Sequence, residues 1–341
     1  MDFFQADNKN FVSRHRTWCA ILTAWAVILY AVPAWGSWQI STVGTAGDWF
    51  ESVSVTAGRD GSNTLYIYAT SADGYLYEYG WSGSAWVGGA IGSNQGSYLH
   101  GVSAGYGRND GRMRVYVSSD GYPLYEYFYN GAAWQQTAAP SGPTFYFNCS
   151  LGPGRNTGVN YDYVPGQNGH VYEYAWNGSA YAAADLGNPG GAAASHVTLG
   201  DGQNDGVMRV YSSNFDNHIY EYTYSGSVWT RADVGSADDQ FNSVAVGAGG
   251  SLGGTKNSVY GAYDNGRLYE FIWNGAAWTR QDMGGPGVAG QYMWDISIGA
   301  GRNDGVTRIY ACSNNGHAYE YSWSGSAWNW SDLGQASVSP Q

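Results

Sequence analysis

Six of the seven glutamates in this 341-residue chain sit in one local phrase, Tyr-Glu-Tyr or Tyr-Glu-Phe with an aromatic three residues on. They are Glu78, Glu126, Glu173, Glu221, Glu270 and Glu320, separated by 48, 47, 48, 49 and 50 residues. A period of that size marks a repeat architecture, in which a unit buries its apolar face only against its neighbours. A charged side chain kept at the same place in every unit must also find a partner, because a lone buried carboxylate is costly.

With each Glu as position zero, position −10 is always tyrosine: Tyr68, Tyr116, Tyr163, Tyr211, Tyr260 and Tyr310. Position +3 holds Trp81, Tyr129, Trp176, Tyr224, Trp273 and Trp323. Position +8 holds Trp86, Trp134, Tyr181, Trp229, Trp278 and Trp328. One repeat contains four short runs, in the second repeat 99–104, 113–118, 123–129 and 133–138. Asp-Gly or Asn-Gly dipeptides such as Asp73-Gly74 and Asn265-Gly266 separate the middle two, a strong hairpin signal. With 51 glycines and 16% aromatic residues, the composition suits short strands and tight turns. The pattern predicts an all-β protein, a six-bladed β-propeller of four-stranded antiparallel blades. It forms one domain over 37–335, with repeats at about 49–92, 93–140, 141–187, 188–235, 236–284 and 285–334, then a tail at 336–341. Residues 38–44 resemble the last run of a repeat, which makes one strand surplus; seven blades with one partial is the alternative.

The first 36 residues differ from the rest. Arg14, His15 and Arg16 precede an uncharged apolar run from Trp18 to Val32, followed by Pro33-Ala-Trp-Gly36. This is the layout of a secretory signal peptide cleaved after Ala34 or Gly36, and it predicts an extracellular protein. The alternative is a membrane anchor, with the propeller outside the cytoplasm. The apolar run is short for a span, which takes roughly 17–25 residues. The whole chain carries a net charge of −12; without residues 1–36, 12 basic and 25 acidic residues leave −13. That charge disfavours nucleic acid and anionic membrane surfaces as partners and leaves neutral ligands open. Cys149 stands where other repeats have Val53, Val102, Val197, Val244 and Ile296, and so reads as a core residue. Six-fold geometry puts it across the ring from Cys312, too far for a disulfide.

Position −12 alternates: Tyr66, Arg114, Tyr161, Arg209, Ser258 and Arg308. The three arginine repeats also carry Asn-Asp-Gly, at 109–111, 204–206 and 303–305. The even separation of −12 from zero puts Arg and Glu on one face if their strands pair, and the +3 aromatic on the other. In a propeller those two faces meet across the cleft between neighbouring blades. A fork of donors, an acceptor-only carboxylate and aromatic rings fit a sugar, which offers hydroxyls and an apolar C–H face.

The stretches Arg114-Val-Tyr…Leu-Tyr-Glu126…Asn-Gly…Trp134, Arg209-Val-Tyr…Ile-Tyr-Glu221…Ser-Gly…Trp229 and Arg308-Ile-Tyr…Ala-Tyr-Glu320…Ser-Gly…Trp328 resemble the fucose-binding propeller lectins. These are the fungal six-bladed lectins and their short bacterial two-blade relatives. The resemblance spans roughly residues 49–334. It implies a lectin that binds fucosylated glycans or glycoconjugates without a cofactor. It also implies three pockets: Arg114 and Glu126 with Trp176 and Tyr181; Arg209 and Glu221 with Trp273 and Trp278; and Arg308 and Glu320 with Trp81 and Trp86 across the ring closure. Tyr181 departs from the tryptophan of the pattern. Glu78, Glu173 and Glu270 lack the arginine and read as structural. A homo-oligomer is compatible with this reading, and a non-catalytic scaffold binding protein partners is the alternative function.

The Asn-Asp-Gly loops read as turns, since each offers too few carboxylates for calcium's six to eight oxygen ligands. His170, His218 and His317, in separate blades, read as solvated turn residues rather than metal ligands. The sequence shows no nucleophile–base set or clustered carboxylate pair, so no enzyme is expected.

Overall fold

The computed structural model describes residue 43 and residues 50–335, apart from 58, 60–64, 94–97, 120–123, 139–147, 189–190, 238, 287, 289, 301–303 and 305. The leader at 1–36, the surplus run at 38–44 except Val43, and the tail at 336–341 lie outside the described residues.

Six four-stranded antiparallel sheets form a ring of blades, and the described residues contain no helix. The blades span 50–93, 99–138, 150–187, 194–236, 241–284 and 293–335. Blade 4 shows the plan: strands Ala194–Gly200, Arg209–Asn214, His218–Tyr224 and Trp229–Ser236. The turn between its second and third strands is closed by Asp216, whose side chain accepts the His218 N–H at 3.2 Å. Gly74, Gly169, Gly266 and Gly316 take positive φ at the corresponding turn position of other blades. Blade 4 puts Asn217 there at φ 70°, the residue that best tolerates that region after glycine.

Apolar side chains of consecutive blades mesh. Tyr211 and Ile219 of blade 4 pack with Phe241, Val244 and Val259 of blade 5, all essentially excluded from solvent. Each such side chain contributes about 1.5–3 kcal/mol of burial. Cys149 is a free, buried thiol within the blade 2–3 core, so it is not bonded to Cys312.

First strands of successive blades pack on one another toward the ring axis. A register shift recurs in five of them, between Phe50 and Ser52, Leu99 and Val102, Ala194 and His196, Phe241 and Ser243, and Met293 and Asp295. Such bulges re-aim side chains, and here polar groups near them link one blade to the next. Ser52 Oγ accepts the Val102 N–H at 3.3 Å, Asn148 Oδ1 the Val197 N–H at 3.1 Å, and Ser243 Oγ donates to Asp295 at 2.7 Å. Gly101 is needed in this belt, because a Cβ there would run into the Asn148 backbone of blade 3.

Candidate functional site

In all six blades the repeated Glu pairs directly across the sheet with the −10 tyrosine. The −12 residue lies diagonally, opposite +2, as Arg114 opposite Phe128. Arg and Glu still share a face, as their even spacing requires. All six glutamates are nearly inaccessible, at 6% exposure or less. The −10 hydroxyl donates to each: Tyr68 to Glu78 at 3.0 Å, Tyr163 to Glu173 at 2.9 Å, Tyr211 to Glu221 at 2.9 Å. Burial first, then the glutamate's charge, pushes the Tyr211 hydroxyl far up, so it stays a donor. The tyrosine is thus the uniform partner that a uniform buried carboxylate needs.

The −12 arginines aim their forks elsewhere. Arg114 holds Asp110 with both terminal nitrogens, at 2.6 and 2.7 Å. Arg209 holds Asp205 at 2.8 and 2.6 Å, and Arg308 holds Asp304 at 2.9 and 2.7 Å. Hydrogen bonds from the arginines, more than any other cause, pull Asp110 and Asp205 down to about 2. Only Nε of each arginine faces its glutamate, at 3.4 Å in blades 2 and 4 and 3.7 Å in blade 6. The aspartate of Asn-Asp-Gly therefore does more than turn the chain: it fixes the arginine.

The rest of that loop is also employed. Asn204 at position −17 forms a two-way bond with the next blade, accepting the Asn257 N–H at 2.6 Å and donating to its carbonyl at 2.9 Å. Asn109 does the same with Asn160, and Asn156 with Met208. All three asparagines hold positive φ. Position −18, or −19 in blade 1, reaches the glutamate itself. Arg59 contacts Glu78 at 2.5 Å, Arg155 donates to both oxygens of Glu173, and Gln203 donates to Glu221 at 2.8 Å. Arg108 meets both oxygens of Glu126, at 2.8 and 2.7 Å. In blade 5 the Ser251 N–H takes the place of such a side chain on Glu270.

Neighbouring blades face each other as the alternation predicts. The +8 ring of the next blade meets the −10 tyrosine edge-on at 6.0–6.5 Å in five clefts: Tyr68–Trp134, Tyr116–Tyr181, Tyr163–Trp229, Tyr211–Trp278 and Tyr260–Trp328. The structure brings Arg114, Glu126, Trp176 and Tyr181 together: Tyr181 donates to Glu126, and Trp176 stands 5.1 Å from Tyr181. It also brings Arg209 and Glu221 to Trp278, which pairs with Trp273 at 5.3 Å. In this second cleft Arg209 Nε and Trp278 Nε1 are buried donors without a hydrogen-bond partner. Burial pushes the Glu221 carboxyl up, against the hydrogen bond from Tyr211 and the charge of Arg209. Arg308 and Glu320 line blade 6, and Trp81 and Trp86 pair at 5.3 Å on blade 1. In blade 5, Ser258 and Trp328 both donate to Glu270.

Away from the clefts, His170, His218 and His317 each meet an aspartate fifteen residues on, at 2.8–2.9 Å. No cluster of potential metal ligands occurs among the described residues. Toward the axis, His196 Nε2 lies 3.6 Å from Asp295 and 2.9 Å from Asn148. Ser243 donates to Asp295 rather than to His196, so these groups tie blades together and do not align a nucleophile with a base.

Sequence reasoning singled out the arginines, glutamates and rings but not positions −18 and −17. The signal was available: Gly-Arg-Asn recurs at 107–109, 154–156 and 301–303, with Gly-Gln-Asn at 202–204.

No known family profile matches the chain, and no curated protein does. Solved structures of a point mutant of Aleuria aurantia lectin, one with alpha-methyl-L-fucoside and one with Fucalpha1-6GlcNAc, are similar at a TM-score of 0.49. Each is 19% identical and covers 83% of this chain and 94% of the lectin.

Proposed function

We propose that the protein is a secreted, non-catalytic lectin whose inter-blade clefts bind a neutral sugar, fucose or a similar deoxy sugar being preferred. The observation that carries this reading is the cleft between blades 4 and 5. Two buried donors without a hydrogen-bond partner, Arg209 Nε and Trp278 Nε1, stand with the acceptor-only Glu221 beside the Trp273–Trp278 pair. Hydroxyl and ring oxygens satisfy such donors, a hydroxyl donates to the carboxylate, and the C–H face of a sugar covers an aromatic ring. Asp205 holds the arginine in place beforehand, which lowers the ordering cost of binding. The clefts with Arg114, Glu126, Trp176 and Tyr181, and with Arg308, Glu320, Trp81 and Trp86, are assigned the same role.

A glycan array followed by calorimetry tests this. Binding to fucosylated glycans is expected, with Arg209→Ala losing the tightest site. Absence of binding to any common monosaccharide at millimolar concentration would refute it.

A further inference from the structure

We infer that the loop residue at position −18, or −19 in blade 1, decides which clefts accept ligand, and that arginine there is a built-in plug. This rests on the sugar-binding reading and adds to it a selection between sites.

Arg108 takes both things a sugar would need in the blade 2–3 cleft. Its guanidinium carbon lies 3.6 Å from the centre of the Trp176 ring, where an apolar sugar face would stack. Its Nε and Nη2 occupy both oxygens of Glu126, the acceptor for sugar hydroxyls. The side chain is only 17% exposed, so it is embedded in the cleft rather than resting on its rim. Arg155 repeats the arrangement, bidentate on Glu173 and 4.6 Å from the Tyr224 ring centre. Arg59 makes a single contact with Glu78, through Nη1, and lies 4.6 Å from the Tyr129 ring centre. A ligand entering these clefts must break a charge-assisted pair and a cation–π contact before making its own.

The blade 4–5 cleft has Gln203 instead. An amide satisfies the glutamate but is neutral and breaks away at lower cost than an ion pair. Among the described residues no cation lies over Trp273 or Trp278. The clefts of Arg114 and Arg209, the two −12 arginine clefts whose −18 residue is described, differ in this loop residue and in the facing +8 ring, Tyr181 against Trp278. The blade 4–5 cleft is the open site, and the blade 2–3 cleft is a latent one.

The full-length protein provides the test, with methyl α-L-fucoside as the calorimetric probe. Arg108→Gln and Gln203→Arg exchange residues that this loop already uses. R108Q should add a second site, weaker than the wild-type tight site because Tyr181 still engages Glu126, and Q203R should weaken the tight site about tenfold or more. Wild-type binding with unchanged stoichiometry and affinity in both variants would overturn the plug while leaving the lectin reading intact. No binding by all three proteins, and none on the array, would instead overturn the lectin reading. A ligand-free arm then still decides the plug: oxidation by N-bromosuccinimide, mapped by mass spectrometry. Trp176 should react several-fold faster in R108Q than in wild type. Equal rates would show that Arg108 does not cover the ring.

Discussion

Position −11 is apolar in five repeats, Ile67, Val115, Val210, Val259 and Ile309, and in the third it is Asp162. Asp162 is 1% exposed, and neither carboxyl oxygen has a hydrogen-bond partner. Burial pushes its pKa well above the usual carboxylate range. Asp162→Val should therefore stabilise the protein, by about 2 kcal/mol near neutral pH. The sign of the pH effect follows from linkage: the folded state holds the proton more tightly than the unfolded chain. The proton's contribution is complete below the ordinary value of 3.8 and is lost as pH rises toward the folded value. Urea unfolding at pH 4 and pH 7 should show wild type losing stability relative to D162V over that interval; a constant difference would count against it. Asp205 has the opposite sign. With its pKa down at about 2, its contribution is present above 3.8 and lost only as pH falls toward 2. The clamp on Arg209 should survive at pH 4, whereas Asp205→Asn should weaken glycan binding about tenfold at pH 7.

The loop between a blade's first and second strands places four functions on consecutive residues. In 107–111 the glycine lets the backbone pass the −10 hydroxyl, the arginine meets the glutamate, the asparagine reaches the next blade and the aspartate holds the −12 arginine. In blade 3 a Cβ on Gly154 would lie 2.5 Å from the Tyr163 hydroxyl, the group that donates to Glu173. Gly154→Ala should cost about 1–3 kcal/mol by thermal unfolding, as overpacking of a buried hydrogen-bonded pair does. Asn156→Ala removes both bonds to Met208 and should cost about 1–2 kcal/mol. An Asn156→Ala protein as stable as wild type would show that the bond pair does not hold the blades.

Across the whole molecule, the facing groups come from two neighbouring blades in five clefts, so the proposed sites there need both blades in place. Clefts spread around a ring suit multivalent attachment to a glycan-coated surface, where weak sites gain avidity. A protein carrying Arg114→Ala, Arg209→Ala and Arg308→Ala should keep its strand content by circular dichroism and lose binding to fucosylated surfaces by more than tenfold. Retained binding would favour the scaffold reading over the lectin one.

Much of this protein was legible in the sequence because repetition exposes constraints. Period, strand number, blade boundaries and the alternation of Glu and aromatic faces follow from local spacing and the two-residue period of a strand. The partner of the repeated glutamate was also on the page, as the invariant tyrosine ten residues before it. What the spacing left undecided was where each arginine fork would turn. Arg114, Arg209 and Arg308 could reach a glutamate across the sheet or an aspartate four residues before them, and the loop's path past the tyrosine hydroxyl chose the aspartate. The occupancy of the clefts by Arg59, Arg108 and Arg155, and the openness conferred by Gln203, likewise depend on side chains meeting the next blade. Local spacing determines which face a residue takes; only the packed ring decides what it meets there.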